Sequence, residues 1–198
     1  MTRESYSKSI SKKETKFSWA NLLDNHPPLN SLIIADPYLM KDSYFDKNLF
    51  PILDKLIPNK NFEETFHITL ITGSQANVSP NLINEKYENI KNFIGTKISD
   101  FKLGFYVVPG NIMHDRILIT NYFYIASGIG FNLFKRDGTI KSDTVLTWSA
   151  ICTSDNSQTY KKELLKLHGY VSKCHNNFPS TPQIIGDKHN RLLNIIEV

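Results

Sequence analysis

The sequence predicts an α/β fold in which helices cover both faces of a mixed β-sheet. Its first half alternates strand-like runs with amphipathic helices, which is the order of parallel β-α-β units. In its second half, four short β-rich runs follow one another with turn signals between them, which is the order of hairpins. With 198 residues, of which 40% are hydrophobic, the chain can bury the core of one domain.

The first strand and helix are predicted from an apolar run and an apolar stripe. Residues 31–40, SLIIADPYLM, are closed by Pro37, which is typical of a buried strand that ends in a loop. In residues 42–58 the apolar side chains recur at spacings of three and four. This spacing predicts a helix, which Pro51 either kinks or restarts.

A second strand and a second helix follow in the same order. Residues 66–74, FHITLITGS, alternate in polarity and stop at Gly73, as a strand would. Residues 79–98 place Pro80 at the start of a helix and carry one apolar stripe. The two strand-helix pairs therefore predict a parallel core to the sheet, with right-handed crossovers.

The second half of the chain predicts hairpin strands and one long helix. The β-rich runs are residues 101–110, 115–120, 122–128 and 144–152. Residues 157–178 have helical spacing at Tyr160, Leu164, Leu167 and Val171, and residues 189–198 add a short closing element. The sheet therefore continues by antiparallel strands and becomes mixed.

Charge and composition divide the chain into two parts. The net charge is +4, which leans towards polyanionic partners without being a nucleic-acid signature. Part of this excess lies in residues 1–16, where five basic residues face two glutamates. We expect residues 1–16 to be a basic N-terminal segment for which the sequence allows flexibility, and residues 17–198 to be a single domain.

Neither end of the chain nor its cysteines indicate a secreted or membrane protein. The N-terminus lacks the apolar region of a signal peptide, and no window approaches about 18 uninterrupted apolar residues. Cys152 and Cys174 fit neither a disulfide framework nor a zinc pattern. We therefore expect a cytoplasmic protein with reduced thiols, no transmembrane segment, no metal and no cofactor.

Residues 113–132, MHDRILITNYFYIASGIGFN, carry polar residues at a fixed spacing. His114 is followed by Arg116, then by Asn121 and Gly128. This pattern resembles the motif of the phospholipase D superfamily, which is H-x-K-x4-D followed by a glycine, a serine and an asparagine. Arg116 takes the place of the lysine, and Asn121 takes the place of the aspartate.

The resemblance implies roles for these residues. In that family a histidine attacks phosphorus and forms a phosphohistidine, an aspartate orients and charges the imidazole, and cations neutralise the phosphoryl oxygens without a metal. His114 is then the nucleophile, Arg116 binds phosphate and Asn121 holds the ring. Arginine keeps the positive charge, but the neutral amide of Asn121 cannot stabilise an imidazolium. The altered motif therefore favours binding over catalysis.

The glycine-rich turn after the motif is altered as well. The run SGIGFN places Ile129 where a serine would follow Gly128, and Asn132 comes one position late. A bulge at Gly130 would restore the spacing, because glycine permits the backbone angles that a bulge needs. Alternatively, Ser127 supplies the hydroxyl from the other side. We take Ser127, Gly128 and Asn132 as candidate phosphate-binding residues.

Asp36 is the fourth candidate phosphate-binding residue. The run IIADPYL looks like the first strand of many members of the superfamily, and this places Asp36 and Tyr38 at the rim of the site. Asp115 neighbours His114, so the period of a strand points its side chain to the opposite face. Asp36 is therefore the better carboxylate to hydrogen-bond His114.

The function implied by the resemblance has two forms. The first is a protein that binds phosphodiesters, nucleic acid before other ligands, and that acts as a metal-independent phosphodiesterase or nuclease if the site is active. The second is an inactive module that binds phosphate, anionic lipid head groups or a protein. The HDR signature also resembles the phospholipase D-like C-terminal domain of proteins with a microtubule-interacting and trafficking domain, which binds membranes.

The single motif copy predicts a homodimer. Because the family's chemistry uses two histidines, an active form would bring His114 of each subunit together across a twofold axis. His67 is an alternative second histidine, but its place in an alternating strand favours a structural role. The cations of residues 134–143, FKRDGTIKSD, either rim the phosphate site or belong to a solvated turn, and the sequence favours the turn.

Overall fold

The computed structural model describes residues 5–24, 26–39, 45–59, 63–74, 79–176 and 184–194, without the side chains of residues 173–176. Some residues of the predicted elements lie outside the described residues. They are residues 1–4, 40, 42–44, 177–178 and 195–198, together with the side chain of Cys174.

The described strands form one mixed sheet. They are β1 (Ser5–Ile10), β2 (Ser31–Ala35), β3 (Phe66–Gly73), β4 (Phe101–Val108), β5 (Ile117–Thr120), β6 (Phe123–Ser127), β7 (Thr144–Ala150) and β8 (Ile184–Gly186). The spatial order is β1-β7-β6-β5-β2-β3-β4-β8. The neighbours β2, β3 and β4 run parallel, and all other neighbours run antiparallel. The predicted mixed sheet is confirmed.

Helices cover both faces of this sheet, as the sequence predicts. The described helices are α1 (Trp19–Leu22), α2 (Leu49–Leu56), α3 (Pro80–Gly95), α4 (Ser154–Asn176) and α5 (Arg191–Asn194). One face of the sheet packs on α1, α2 and α3 through a large apolar cluster. The other face packs on α4 and α5, where the predicted stripe of α4 is buried. Because helices cover both faces, β2 and β3 are buried along their whole length.

Pro51 lies within the first turn of α2. The first N–H groups of a helix have no partner inside the helix, so a proline there costs no hydrogen bond. The helix accordingly begins at Leu49, and residues 45–48 form a turn ahead of it. Of the two sequence alternatives for Pro51, a helix start rather than a kink is therefore found.

The N-terminal segment differs from its prediction, because its residues 5–10 are part of the sheet. Strand β1 pairs antiparallel with β7 over its full length. Its serines face solvent, whereas Ile10 is buried. A short polar strand at the edge of a sheet is easily missed, because only one of its faces meets the core. The alternation in SYSKSI was the available signal.

The motif residues are divided between the two ends of the sheet. Because β5 runs antiparallel to β2 with Ile117 opposite Ala35, the residues before β5 lie beside those after β2. We call this the His114 end. At the opposite end, Thr120 lies opposite Leu32 and Asn121 follows it. We call this the Asn121 end.

Candidate phosphate-binding site

His114 lies in the loop of residues 109–116, which joins β4 to β5 at the His114 end. Met113 is buried in the cluster under α4 and anchors this loop, whereas His114 itself is exposed. Asp115 turns the other way, because Tyr170 Oη donates to its Oδ2 at 2.5 Å and Lys166 Nζ lies 3.5 Å from its Oδ1. These contacts tie Asp115 to α4.

The Tyr170 hydroxyl is the main link between α4 and this loop. Burial and, to a smaller extent, the hydrogen bond to Asp115 raise the pKa of Tyr170 to about 12. The phenol therefore remains protonated at neutral pH and can donate. Helix α4 thus holds the backbone next to His114 and leaves the imidazole facing solvent.

Arg116 is held by two contacts on the other side of the loop. Its Nη1 donates to the carbonyl oxygen of Gly128 at 3.0 Å, and its Cζ lies 5.4 Å from the ring centroid of Tyr38. Tyr38 is 39% exposed. The Nε atom of Arg116 is buried and has no hydrogen-bond partner within the described part of the chain. Arg116 is therefore a fixed cation that lies over an accessible aromatic ring.

Asp36 anchors the glycine-rich turn. Its Oδ1 accepts from Tyr38 N at 2.8 Å, and its Oδ2 accepts from Phe131 N at 2.7 Å. Gly130 lies against this carboxylate with φ of +97°, and a Cβ there would be 2.4 Å from Asp36 Oδ2. Only glycine suits this position. Asp36 is fully buried under the turn whereas His114 is exposed, and the hydrogen bond expected between them stays a prediction.

Ser127 and Asn132 also use their polar atoms to hold this turn. Ser127 Oγ accepts from Gly130 N at 2.9 Å and donates to Gly130 O at 2.6 Å. Asn132 Oδ1 accepts from Asn48 Nδ2 at 3.1 Å and from Lys141 Nζ. Gly128 is exposed between them. The structure therefore brings Ser127, Gly128 and Asn132 to the same end of the sheet as His114 and Arg116.

Asn121 lies at the opposite end of the sheet. The four residues of β5, at about 3.3 Å each, separate it from the loop that carries His114. Its Nδ2 donates to Asn30 Oδ1 at 3.1 Å, and its buried Oδ1 has no hydrogen-bond partner among the residues described. The interpretation of Asn121 as the residue that holds the imidazole is therefore corrected: a seven-residue spacing in a strand spans the sheet instead of returning to the same site.

A cavity of about 350 Å³ opens at the Asn121 end. Its lining residues are Pro28, Leu29, Asn30, Glu63, Glu64, Asn121 and Tyr122. Glu64 is already bonded there, because it accepts from Asn30 Nδ2 at 2.6 Å and pairs with Arg191. This cavity is separate from the end that carries His114, so it takes no part in the phosphate site.

His67 is part of the core and of the α5 contact. It is 5% exposed, and its Nδ1 accepts from Arg191 N at 3.1 Å. Burial, together with the nearby charges of Arg191 and His189, lowers the pKa of His67 to about 4. The ring is therefore neutral at pH 7, which suits its role as an acceptor.

Two residues that support this end of the sheet were missed in the sequence. Asn48 is buried and binds the backbone of Phe134 through both of its side-chain atoms, at 2.7 and 3.1 Å. Tyr170 binds the loop from α4. Both contacts join segments that are distant in sequence, so no local spacing indicates them. The one signal in the sequence is that Asn48 and Tyr170 each stand next to a residue of the apolar stripe of a predicted helix.

Two kinds of feature are absent from the described residues. None of the helices there combines the length and the apolar character that crossing a membrane requires. Within the same residues, no group of three or more histidine, cysteine, aspartate or glutamate side chains is arranged to hold a metal ion.

Comparison with known proteins finds a matching family model and similar solved structures. A family model described as a phospholipase D-like domain at the C-terminus of MIT matches residues 18–147, which is more than half of the chain. No curated protein matches. Among solved structures, the archaeal chromatin protein TrmBL2, described as having a novel mode of DNA binding, is similar at 12% identity and a TM-score of 0.45. A polyphosphate kinase from Porphyromonas gingivalis is similar at 10% identity and a TM-score of 0.45.

The two solved structures are much longer than the region of similarity. The match covers 86% of this chain and 53% of TrmBL2. It covers 91% of this chain and 27% of the polyphosphate kinase. The chain thus spans about half of one neighbour and about a quarter of the other.

Proposed function

The chain belongs to the family of phospholipase D-like domains found at the C-terminus of MIT, and on that premise we propose that it binds phosphodiesters at the His114 end without hydrolysing them. Nucleic acid is the first ligand class of this proposal. Anionic lipid head groups are the alternative, and a homodimer remains part of the hypothesis.

The observation that carries the proposal is the fixed position of Arg116. Its guanidinium is held by Gly128 O and stacked on Tyr38, next to the exposed His114. A guanidinium carries its donors in a planar fork that matches phosphate oxygens, which it binds by charge-assisted hydrogen bonds. The partly exposed ring of Tyr38 adds a surface on which a base can stack.

Binding is favoured over hydrolysis by the groups around His114. A phosphohistidine mechanism needs a carboxylate that orients and charges the imidazole. Asn121 is neutral and lies at the other end of the sheet, and the carboxylate of Asp36 accepts from two backbone N–H groups beneath the glycine turn. Hydrolysis would in addition require a second histidine, which the hypothetical dimer would have to supply.

The test uses labelled single-stranded and double-stranded DNA and RNA, incubated with the purified protein in the presence of a chelator. Fluorescence anisotropy measures binding, and gel electrophoresis measures cleavage. We expect binding by the wild type, weaker binding by Arg116→Ala, and no cleavage. Cleavage that persists in chelator and disappears in His114→Ala would replace the binding module with a metal-independent phosphodiesterase.

Lipid binding is measured in the same series by flotation with vesicles of phosphatidylcholine, with and without phosphatidylserine. Flotation that requires phosphatidylserine and is lost in Arg116→Ala, without any binding of oligonucleotides, would select the lipid alternative. Sedimentation analysis of the same samples tests the homodimer. A protein that binds neither class of ligand would contradict the proposal.

A further inference from the structure

A basic surface lies beside the His114 end. It consists of two segments, the turn of residues 11–16 after β1 and the hairpin of residues 134–141 between β6 and β7. Its cations are Lys12, Lys13, Lys16, Lys135, Arg136 and Lys141. Residues 135–139 are all exposed, and the hairpin is closed by the Phe134–Ile140 bridge.

The two segments of the basic surface are joined by contacts at or directly beside their ends. At one end, Lys12 N donates to Asp143 Oδ1 at 2.5 Å. At the other end, Phe17 stacks on Phe134 with ring centroids 5.8 Å apart and planes inclined by 17°. The cations that these segments carry are therefore neighbours in space, although more than a hundred residues separate them in sequence.

The basic surface is also continuous with Arg116. Gly128 accepts from Arg116 through its carbonyl oxygen and donates its N–H to Val145 O at 3.1 Å. Thr144 lies next to this point: it is 8% exposed, and its Oγ1 has no hydrogen-bond partner among the described residues. A Cβ at the exposed Gly128 would be 3.1 Å from this hydroxyl. The start of β7 therefore packs directly against Gly128, the residue that holds Arg116.

Within the part of the chain that the structure describes, five of the six cations of the basic surface make no ion pair. Within the described residues, Lys12, Lys13, Lys16, Lys135 and Arg136 have no carboxylate within ion-pairing distance, whereas elsewhere Lys55, Lys97, Lys166 and Arg191 are paired. The carboxylates of this region bind backbone N–H groups instead: Asp143 that of Lys12, Glu14 that of Lys16 and Asp137 that of Thr139. A field of positive charge thus remains available to a polyanion.

We infer that this basic surface extends the Arg116 site and that the ligand is a single strand of nucleic acid with several consecutive phosphates. This inference rests on the proposed function and makes its ligand class more specific. Arg116 and Tyr38 receive one phosphate and one base, and the cations of the basic surface receive the phosphates that follow.

A membrane fits the basic surface less well. A protein that lies on a bilayer inserts apolar side chains between its cations. The exposed residues of the two segments are lysine, arginine, serine, threonine, aspartate and glycine, without an exposed apolar side chain at positions 11–16 or 135–139. Such a surface binds the phosphates of a flexible strand through charge alone.

The experiment compares two probes on the full chain. One is a thymidine dinucleotide with a single phosphodiester, followed by NMR titration. The other is an oligothymidylate of about 16 nucleotides, followed by anisotropy over a range of salt concentrations. The variants are Lys12→Ala with Lys13→Ala, Lys135→Ala with Arg136→Ala, and Arg116→Ala. The control is Lys161→Ala with Lys162→Ala, which removes two exposed lysines from α4.

Each double variant of the basic surface is expected to bind the dinucleotide as the wild type does. For the oligothymidylate, the slope of the logarithm of the binding constant against the logarithm of the salt concentration should become shallower by about 1.4. Each double variant loses two phosphate contacts, and each contact to a single strand contributes about 0.7. The α4 control should keep the wild-type slope. Equal slopes in the basic-surface variants and the α4 control would overturn the inference.

The outcomes separate this inference from the proposed function. If Arg116→Ala weakens both probes while the basic-surface variants change nothing, the site stands and its extension fails. If the wild type binds neither probe, both fail. If the double variants lose binding to phosphatidylserine vesicles instead of binding to the oligothymidylate, a membrane replaces the nucleic acid strand.

Discussion

The guanidinium of Arg116 stacks on the ring of Tyr38, with Cζ 5.4 Å from the ring centroid. The two residues come from the loop after β2 and the loop before β5, which the antiparallel pairing of these strands brings together. Stacking removes rotational freedom from the arginine before any ligand arrives, so less entropy is lost when its donors meet phosphate.

Two variants of Arg116 distinguish the contribution of its positive charge from that of its planar hydrogen-bonding geometry. Arg116→Ala should weaken phosphodiester binding by about 1.5–3 kcal/mol, as expected for the loss of a hydrogen bond to a charged group. Arg116→Lys should recover only part of this loss, because an ammonium has neither the planar fork nor the stacking on Tyr38. Anisotropy titrations at fixed salt measure both variants. Full recovery by lysine would show that charge alone matters.

Gly130→Ala should destabilise the fold strongly. The residue has φ of +97°, and the added Cβ would lie 2.4 Å from Asp36 Oδ2. Gly138→Ala is the matched control, since Gly138 has φ of +81° but nothing within 4 Å of its Cβ position. Backbone strain costs about 1–3 kcal/mol in both variants, and the contact with Asp36 adds to it only at Gly130. Urea unfolding measures both, and equal losses would refute a special role of the contact.

Much of the fold follows from local patterns in the sequence. The strands β2 to β7 and the helices α2 to α4 lie where apolar runs, stripes and breakers predict them, because each buries a face whose spacing is visible in the chain. The elements that were missed, β1, α1 and β8, are short or lie at a sheet edge. Such elements bury few side chains, so their patterns are weak.

The site was less predictable than the fold. A motif spacing shows which residues recur, but it does not show at which end of a strand each one lies. The strand β5 between His114 and Asn121 is only four residues long, and its bounds decide that these residues lie at opposite ends. The burial of Asp36 and the contacts of Asn48 and Tyr170 depend on segments distant in sequence.

Tyr170→Phe should loosen the loop that carries His114. The variant removes the hydrogen bond to Asp115 and should cost about 1 kcal/mol of stability, because the carboxylate loses a donor in a half-buried place. Lys166→Met is the comparison, since the Lys166 side chain is 50% exposed and surface ion pairs contribute about 0–1 kcal/mol. Urea unfolding should therefore rank Tyr170→Phe as the more destabilising variant. The reverse order would mean that the ion pair, and not the phenol, holds the loop.

His67 should make the stability of the protein depend on pH in the acidic range. Its pKa is about 4 in the folded chain, against 6.5 for an unperturbed histidine, because the ring is buried and lies near Arg191 and His189. Between these two values the unfolded chain binds a proton that the folded chain does not. Stability should therefore decrease as the pH falls from about 6.5 to about 4, by at most about 3 kcal/mol for this residue.

The variant His67→Asn tests this dependence, because an amide oxygen can accept from Arg191 N but does not titrate in this range. Urea unfolding of the wild type and the variant at pH 7 and at pH 4.5 should show a smaller loss of stability in the variant. His168→Asn, on α4, removes one imidazole elsewhere and serves as the control. The argument would be contradicted if the wild type and His67→Asn lost the same amount of stability between pH 7 and pH 4.5. A buried neutral histidine must oppose protonation whatever else titrates around it.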